Sequence, residues 1–273
     1  MYPVKLGKEN VYLNTLILNP EAKETILMVH GMFGNIAQFY FTIAPELSKD
    51  FKIILFDLRG HGKSTRTSDG YTLSSLANDI KCLLDALKIE QCHILGFSFG
   101  TLIALKFTME YKGRVKKVVA MDIPPKATLP EMLKDAYSFD NFLDFASTLP
   151  SLVHKNFMRS DRQLRKNFEM YKHLYNSTSF VDDLNRDKNF TEADYRSINA
   201  PVLLLFGQES ACISELMRVF GWIKNKVIQF EEGGHNFFSD RPVNSAEKIR
   251  NFLLAAENDI QKDITSEATI SQE

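Results

Sequence analysis

Ser98 lies in Gly96-Phe97-Ser98-Phe99-Gly100, between the apolar run His93-Ile94-Leu95 and a helix-forming stretch, Thr101-Leu102-Ile103-Ala104-Leu105-Lys106-Phe107. A Gly-x-Ser-x-Gly string alone is a weak signal; a strand before it and a helix behind it make it a nucleophile turn. Such a turn strains the serine backbone, lifts the hydroxyl above the strand ends and leaves room only for small flanking residues. The amino terminus of the following helix favours developing negative charge. The competing reading is a tight glycine turn with an incidental serine.

A serine hydroxyl needs a base to take its proton. Of the six histidines, His235 is best placed, in Gly233-Gly234-His235-Asn236, after the last apolar run and before the final helix pattern. His93 falls inside a strand pattern and reads as a packed residue. His154 and His173 read as surface or substrate-facing. Acyl transfer also needs donors for an oxyanion. His30-Gly31-Met32-Phe33-Gly34 supplies a glycine-containing turn after the first long apolar run. The backbone N–H groups of Met32 and Phe99 are the predicted donors. His30 itself reads as a side chain that holds the turn.

These residues need a scaffold. Near-continuous apolar runs at 26–29, 53–56, 93–95, 118–121, 202–206 and 227–230 suit parallel strands covered on both faces. Between them, Leu73, Leu76, Ala77, Ile80, Leu83, Leu84 and Leu87 mark one face of a helix. Ala246, Ile249, Phe252 and Leu253 mark another, with Pro242 in its first turn. Strand and helix alternate, which predicts an α/β, mostly parallel, doubly wound sheet. The alternation stops over 124–199, where several amphipathic helices are expected. That stretch reads as a helical cap inserted after the sixth strand, over the carboxyl edge of the sheet where ligands bind; the alternative is ordinary surface helices. Residues 1–123 and 200–259 form the predicted core. Residues 260–273 are polar and read as a disordered tail.

The chain has 273 residues, with 33 basic and 34 acidic side chains. This balance offers no electrostatic case for nucleic acid or an anionic membrane surface. No run approaches the roughly 18 apolar residues of a membrane span. Cys82, Cys92 and Cys212 lack CxxC spacing and form no disulfide framework; two of them sit inside apolar periodic segments and read as buried thiols, and a reducing cytoplasm is expected. No Cys/His spacing suggests a metal, and no cofactor is expected.

Four landmarks fall in one order: His30-Gly31, Asp57-Leu58-Arg59-Gly60-His61-Gly62-Lys63-Ser64, the Ser98 turn and Gly234-His235. In this the chain resembles the α/β-hydrolase superfamily from about residue 10 to 258. The resemblance implies that Asp57, Arg59 and His61 order a loop near the site without taking part in the chemistry. It also implies an acid after the seventh strand, three residues past a glycine. There the chain reads Gly207-Gln208-Glu209-Ser210, and serine cannot stabilise an imidazolium as a carboxylate does. Glu209 could serve instead, the triad could be incomplete, or the acid could come from another strand. Met121-Asp122-Ile123-Pro124 and the Gly207-to-Ser214 pattern resemble a smaller group of esterases and thioesterases typified by the bacterial YbfF protein. That resemblance makes Asp122, at the end of the sixth strand, the triad acid, with Glu209 as the alternative.

The expected activity is hydrolysis of carboxylic esters or thioesters, on acyl-CoA-like or small acyl substrates, through an acyl-enzyme on Ser98. Carbon–carbon bond hydrolysis or a lyase reaction on the same three residues is the alternative, and a non-catalytic small-molecule-binding relative is a third reading. Aromatics such as Phe145, Phe168 and Tyr175 could line an acyl pocket or simply pack the cap. Lys155, Arg165 and Lys166 could meet a substrate phosphate or form a solvated face. Beyond a small-molecule substrate no partner is expected, and the protein is read as a monomer or homodimer.

Overall fold

A computed structural model describes residues 1–7, 10–125, 161–219 and 221–256. Eight strands form one sheet: β1 (Tyr2–Lys5), β2 (Tyr12–Leu18), β3 (Thr25–Val29), β4 (Lys52–Phe56), β5 (Cys92–Phe97), β6 (Val115–Met121), β7 (Val202–Gly207) and β8 (Lys226–Glu231). Their order is β1-β2-β4-β3-β5-β6-β7-β8. Each of the six predicted apolar runs is one of the parallel strands β3 to β8. The sequence pattern did not announce β1 and β2, which add an antiparallel edge, with Tyr2 opposite Thr15 and Thr15 opposite Phe56.

The parallel strands are covered on both faces, which is why their sequences run apolar without alternation. In β3, Leu27 and Val29 face one core with Leu76, Ile80, Leu102 and Ile103, while Ile26 and Met28 face another with Leu47, Ile249 and Phe252. Helices α3 (Leu73–Ala86) and α4 (Phe99–Glu110) cover the first face. The short α1 (Ala37–Tyr40), α2 (Ala44–Leu47) and α9 (Phe237–Asp240), with α10 (Pro242–Leu254), cover the second. Thr72 begins α3 by accepting a bond from the Ser75 N–H at 3.1 Å, an ordinary N-cap.

Between β6 and β7 the described chain is helical: α5 (Asp161–Ser177), α6 (Phe180–Arg186) and α7 (Glu192–Arg196). This segment docks on the stretch leading into α3. Asp183 accepts the Tyr71 N–H at 2.9 Å and Asp187 accepts the Leu73 N–H at 2.7 Å. The Phe180 ring packs edge-on against Tyr71 and Phe99, at 5.5 and 5.9 Å. The remaining helix, α8 (Ile213–Val219), follows β7. The predicted tail at 260–273 and the first part of the predicted cap lie outside the described residues.

The loop after β4 is a rigid support. The buried Asp57 carboxylate accepts from Asn14 Nδ2 (2.7 Å), Ile36 N–H (2.7 Å) and Lys63 N–H (2.9 Å). At Gly62 the backbone has φ +51°, and a Cβ there would lie 2.2 Å from Asp57 Oδ2. Arg59 grips Asp79 of α3 through Nε (2.9 Å) and Nη2 (2.6 Å), both groups nearly excluded from solvent. The Leu58 N–H donates to His30 Nε2 at 2.9 Å, so the His30 proton sits on Nδ1 and is given to the Gly31 carbonyl at 2.8 Å. His61 Nδ1 likewise donates to the Arg59 carbonyl at 2.9 Å. The Asp57–His61 segment therefore orders a loop, as the sequence predicted.

Burial holds the His30 imidazole down to about 4 and that of His61 down to about 3. Unfolding frees both to bind protons near the ordinary value of about 6.5. Stability is therefore full above pH 6.5 and declines as pH falls toward the folded-state values. Unfolding free energies from urea titrations are expected to drop steadily between pH 7 and 5, by on the order of 2 kcal/mol per histidine at pH 5; a flat profile would contradict this. Arg59→Met leaves Asp79 buried without its cation and should cost about 3–5 kcal/mol. The double variant Arg59→Met/Asp79→Leu should recover much of that loss in the same measurement.

Candidate active site

Ser98 occupies the turn between β5 and α4 with φ +52° and ψ −124°, a conformation that side chains other than hydrogen rarely adopt. The turn is held by Ser98 N–H to the Met121 carbonyl at 2.9 Å and by Thr101 N–H to the Ser98 carbonyl at 2.8 Å. Thr101 Oγ1 also donates to the Met121 carbonyl, at 3.0 Å. The glycines flanking the serine are dictated by contact. A Cβ on Gly96 would lie 2.5 Å from the Gly100 carbonyl oxygen, and one on Gly100 would lie 2.2 Å from that of Val29. The turn thus packs directly on the end of β3, which brings Ser98 beside the loop carrying Met32.

Three residues predicted for the site come together. His235 Nε2 is 3.0 Å from Ser98 Oγ, and His235 Nδ1 is 2.5 Å from Asp122 Oδ2. The Asp122 side chain is fully buried, whereas that of His235 is 37% exposed. A buried carboxylate needs donors. Besides the imidazole, Asp122 accepts from Ser210 Oγ at 2.5 Å and from the Gly207 N–H at 3.3 Å. Its own N–H donates to the Leu205 carbonyl at 2.9 Å, and its backbone has φ +51°. Glu209, the alternative acid, is exposed and its N–H donates to the Gly233 carbonyl at 3.0 Å. The geometry pairs His235 with Asp122 in its place.

Ser210, unfit as an acid, proves to be a donor to the Asp122 carboxylate. Its hydroxyl oxygen accepts the Cys212 N–H at 3.1 Å, which turns its proton toward the carboxylate. Cys212 itself is buried, with Sγ 3.7 Å from His235 Nδ1. Burial pushes its thiol up to about 12, and the nearby Asp122 adds to the effect. The Phe97 ring lies 4.8 Å from the His235 ring and 4.7 Å from that of Phe238. The roles of Ser210, Cys212 and Phe97 had no sequence signal of their own, although the Gly207-x-x-Ser210 pattern marked one of them.

Met32 lies in a turn closed by the Gly34 N–H on the Gly31 carbonyl, at 3.0 Å, and Gln38 Oε1 accepts the Gly31 N–H at 2.8 Å. Phe99 is the first residue of α4, where a backbone N–H has no acceptor within its own helix. His93 is buried in β5 beside Glu24, at 3.3 Å, as a packed residue. His173 is half-buried, Phe168 buried, Tyr175 half-buried, and Arg165 and Lys166 exposed. His154, Phe145 and Lys155 lie outside the described residues. A cavity of 970 Å³ is lined by Asn35, Ile36, Tyr40, Lys63, Arg66 and Met170 among others; Ser98, Asp122 and His235 are not in its described lining.

The family model of the alpha/beta hydrolase fold matches residues 24–242. Mouse epoxide hydrolase 4 is 21% identical over 276 aligned positions, covering 88% of this chain and 75% of the mouse protein. Esterase YbfF of Escherichia coli strain K12 is 33% identical over 107 positions, spanning only 39% of this chain and 41% of its own. Among solved structures, the enol-lactonase from Burkholderia xenovorans LB400 superimposes with a TM-score of 0.76 at 18% identity, over 92% of this chain and all of that one. A meta-cleavage product hydrolase from Pseudomonas fluorescens IP01 does so at 0.72 and 19%, over 91% and 97%. The family match spans most of the chain and the sheet order agrees with it: this protein belongs to the α/β-hydrolase fold family.

Proposed function

We propose that the protein is a serine hydrolase that cleaves carboxylic esters or thioesters through an acyl-enzyme on Ser98. One observation carries this reading: the hydrogen-bonded series from Ser98 Oγ through His235 to the buried Asp122 carboxylate, at 3.0 and 2.5 Å. His235 Nε2 takes the hydroxyl proton as Oγ attacks the carbonyl carbon. Asp122 fixes the imidazole with its other proton on Nδ1 and stabilises the imidazolium. The N–H groups of Met32 and Phe99 receive the oxyanion of the tetrahedral intermediate. On collapse, His235 gives its proton to the departing alcohol or thiol. Water then enters, His235 deprotonates it, and a second collapse releases the carboxylic acid and restores the serine.

The helical excursion between β6 and β7 serves in this reading as a cap over the carboxyl edge of the sheet. Partners are then limited to the small acyl substrate. The short identity to an esterase supports the ester class without defining the acyl group.

A fluorophosphonate probe should label wild type and spare Ser98→Ala; an unlabelled, folded wild-type protein would sink the active-serine assignment. Asp122→Asn should lower ester turnover on the order of 10³–10⁴-fold, the usual scale for losing a triad carboxylate, while Glu209→Gln stays close to wild type. The reverse pattern moves the acid to Glu209. Product assays on acyl esters and diketones run side by side check the bond class, and turnover confined to diketones overturns ester cleavage.

A further inference from the structure

We propose that Asp122, Cys212 and His235 also form an inhibitory site for a soft divalent cation of the zinc class. Cys212 takes no part in the acyl-transfer scheme, yet its Sγ is 3.7 Å from His235 Nδ1. Sγ, a nitrogen of His235 and a carboxylate oxygen of Asp122 all lie within 4.8 Å of one another. The three come from the end of β6, the turn before α8 and the loop after β8, so no ligand spacing along the chain reveals them.

Thiolate, imidazole and carboxylate are the donor types zinc takes, and three protein ligands with one open position is an established arrangement for it. The sulfur favours zinc and cadmium over magnesium or calcium. With metal–sulfur and metal–nitrogen bonds of about 2.3 and 2.0 Å, tetrahedral geometry sets these two donors roughly 3.5 Å apart. The pair already stands close to that separation. Nδ1 and Oδ2 are closer, at 2.5 Å, and must part by about 0.7 Å to admit the ion. His235 can yield, because it is partly exposed and follows Gly233-Gly234, while Asp122 is anchored by Ser210 and Gly207.

Binding balances by proton release: the cation displaces one proton from His235 Nδ1 and one from the Cys212 thiol. Burial keeps that thiol protonated at neutral pH until a metal takes the proton's place. An imidazole metallated at Nδ1 has lost the proton that Asp122 holds, and the adjacent cation opposes proton uptake at Nε2. The base is therefore disabled without any contact to Ser98. Cation binding stands on the geometry alone; its inhibitory effect rests on the serine-hydrolase reading.

The test is titration of the full-length protein with cadmium chloride, following the ultraviolet thiolate-to-cadmium charge-transfer absorption. Wild type, Ser98→Ala and Cys82→Ala should show one saturable equivalent; Cys212→Ala and His235→Ala should lose it. Zinc should inhibit ester turnover of wild type reversibly on addition of EDTA. Cys212→Ala, judged against its own metal-free rate, should need at least about tenfold more zinc, the scale produced by loss of even an outer-shell partner. No band in wild type, or a band that survives in Cys212→Ala and Cys212→Ser, overturns the site. A normal band in a protein that turns over no ester leaves the metal site standing and removes only the hydrolase reading.

Discussion

The bond between Asp122 and His235 is the constraint around which the carboxyl edge of the sheet is arranged. Its partners leave from β6 and β8, and β7 lies between those strands. The end of β7 must therefore be bare enough for the two side chains to meet across it. Gly207 meets that need: a Cβ there would lie 2.3 Å from the Gly234 carbonyl oxygen, and its N–H donates to the carboxylate passing over it. The same geometry accounts for Ser210. A carboxylate in its place, 2.5 Å from Asp122, would set two like charges in one dry pocket, where they cannot both ionise. With a buried carboxylate already at the end of β6, position 210 is better filled by a neutral donor.

The other half of the site depends on buried polar groups elsewhere. Asp57 ties the N–H of Ile36 to the side chain of Asn14 in β2, and His30 ties the turn carrying Met32 to the loop after β4. Arg59 and Asp79 lock that loop to α3. A buried ion pair contributes little net stability when intact and costs several kcal/mol when one partner is lost. Its contribution here is placement: these bonds join the antiparallel edge, the loop after β4 and the His30 turn at the end of β3.

The fold was legible wherever a signal was local. Six near-continuous apolar runs gave six parallel strands, and a glycine-bracketed serine after one of them gave the turn. Strand β2 escaped because Asn14 and Thr15 interrupt its pattern, and β1 because it is short and mostly exposed. His235 was readable from its loop, whereas Asp122 was readable only through the pattern around it, since its contact spans 113 positions. Glu209 shows the limit of spacing arguments. It stands beside the expected position, but it is exposed, and its backbone N–H is the group engaged with the His235 loop. The closeness of Cys212 to His235 is a product of tertiary folding that no local pattern could carry.

Ser98 and Asp122 both have φ near +50°, without being glycine. Each such residue holds of order 1–3 kcal/mol of backbone strain, and glycine at either position would release it. Selection for persistence of the fold alone would then favour glycine at Ser98; at Asp122 the released strain is offset by the donors of Ser210, Gly207 and His235 left without an acceptor. Asn19, Phe33 and Lys88 also keep side chains at positive φ, but Ser98 and Asp122 are the two that meet at one histidine. A lineage that stopped using this site would be expected to drift toward a firmer and inert protein, with glycine at Ser98 among the first substitutions tolerated.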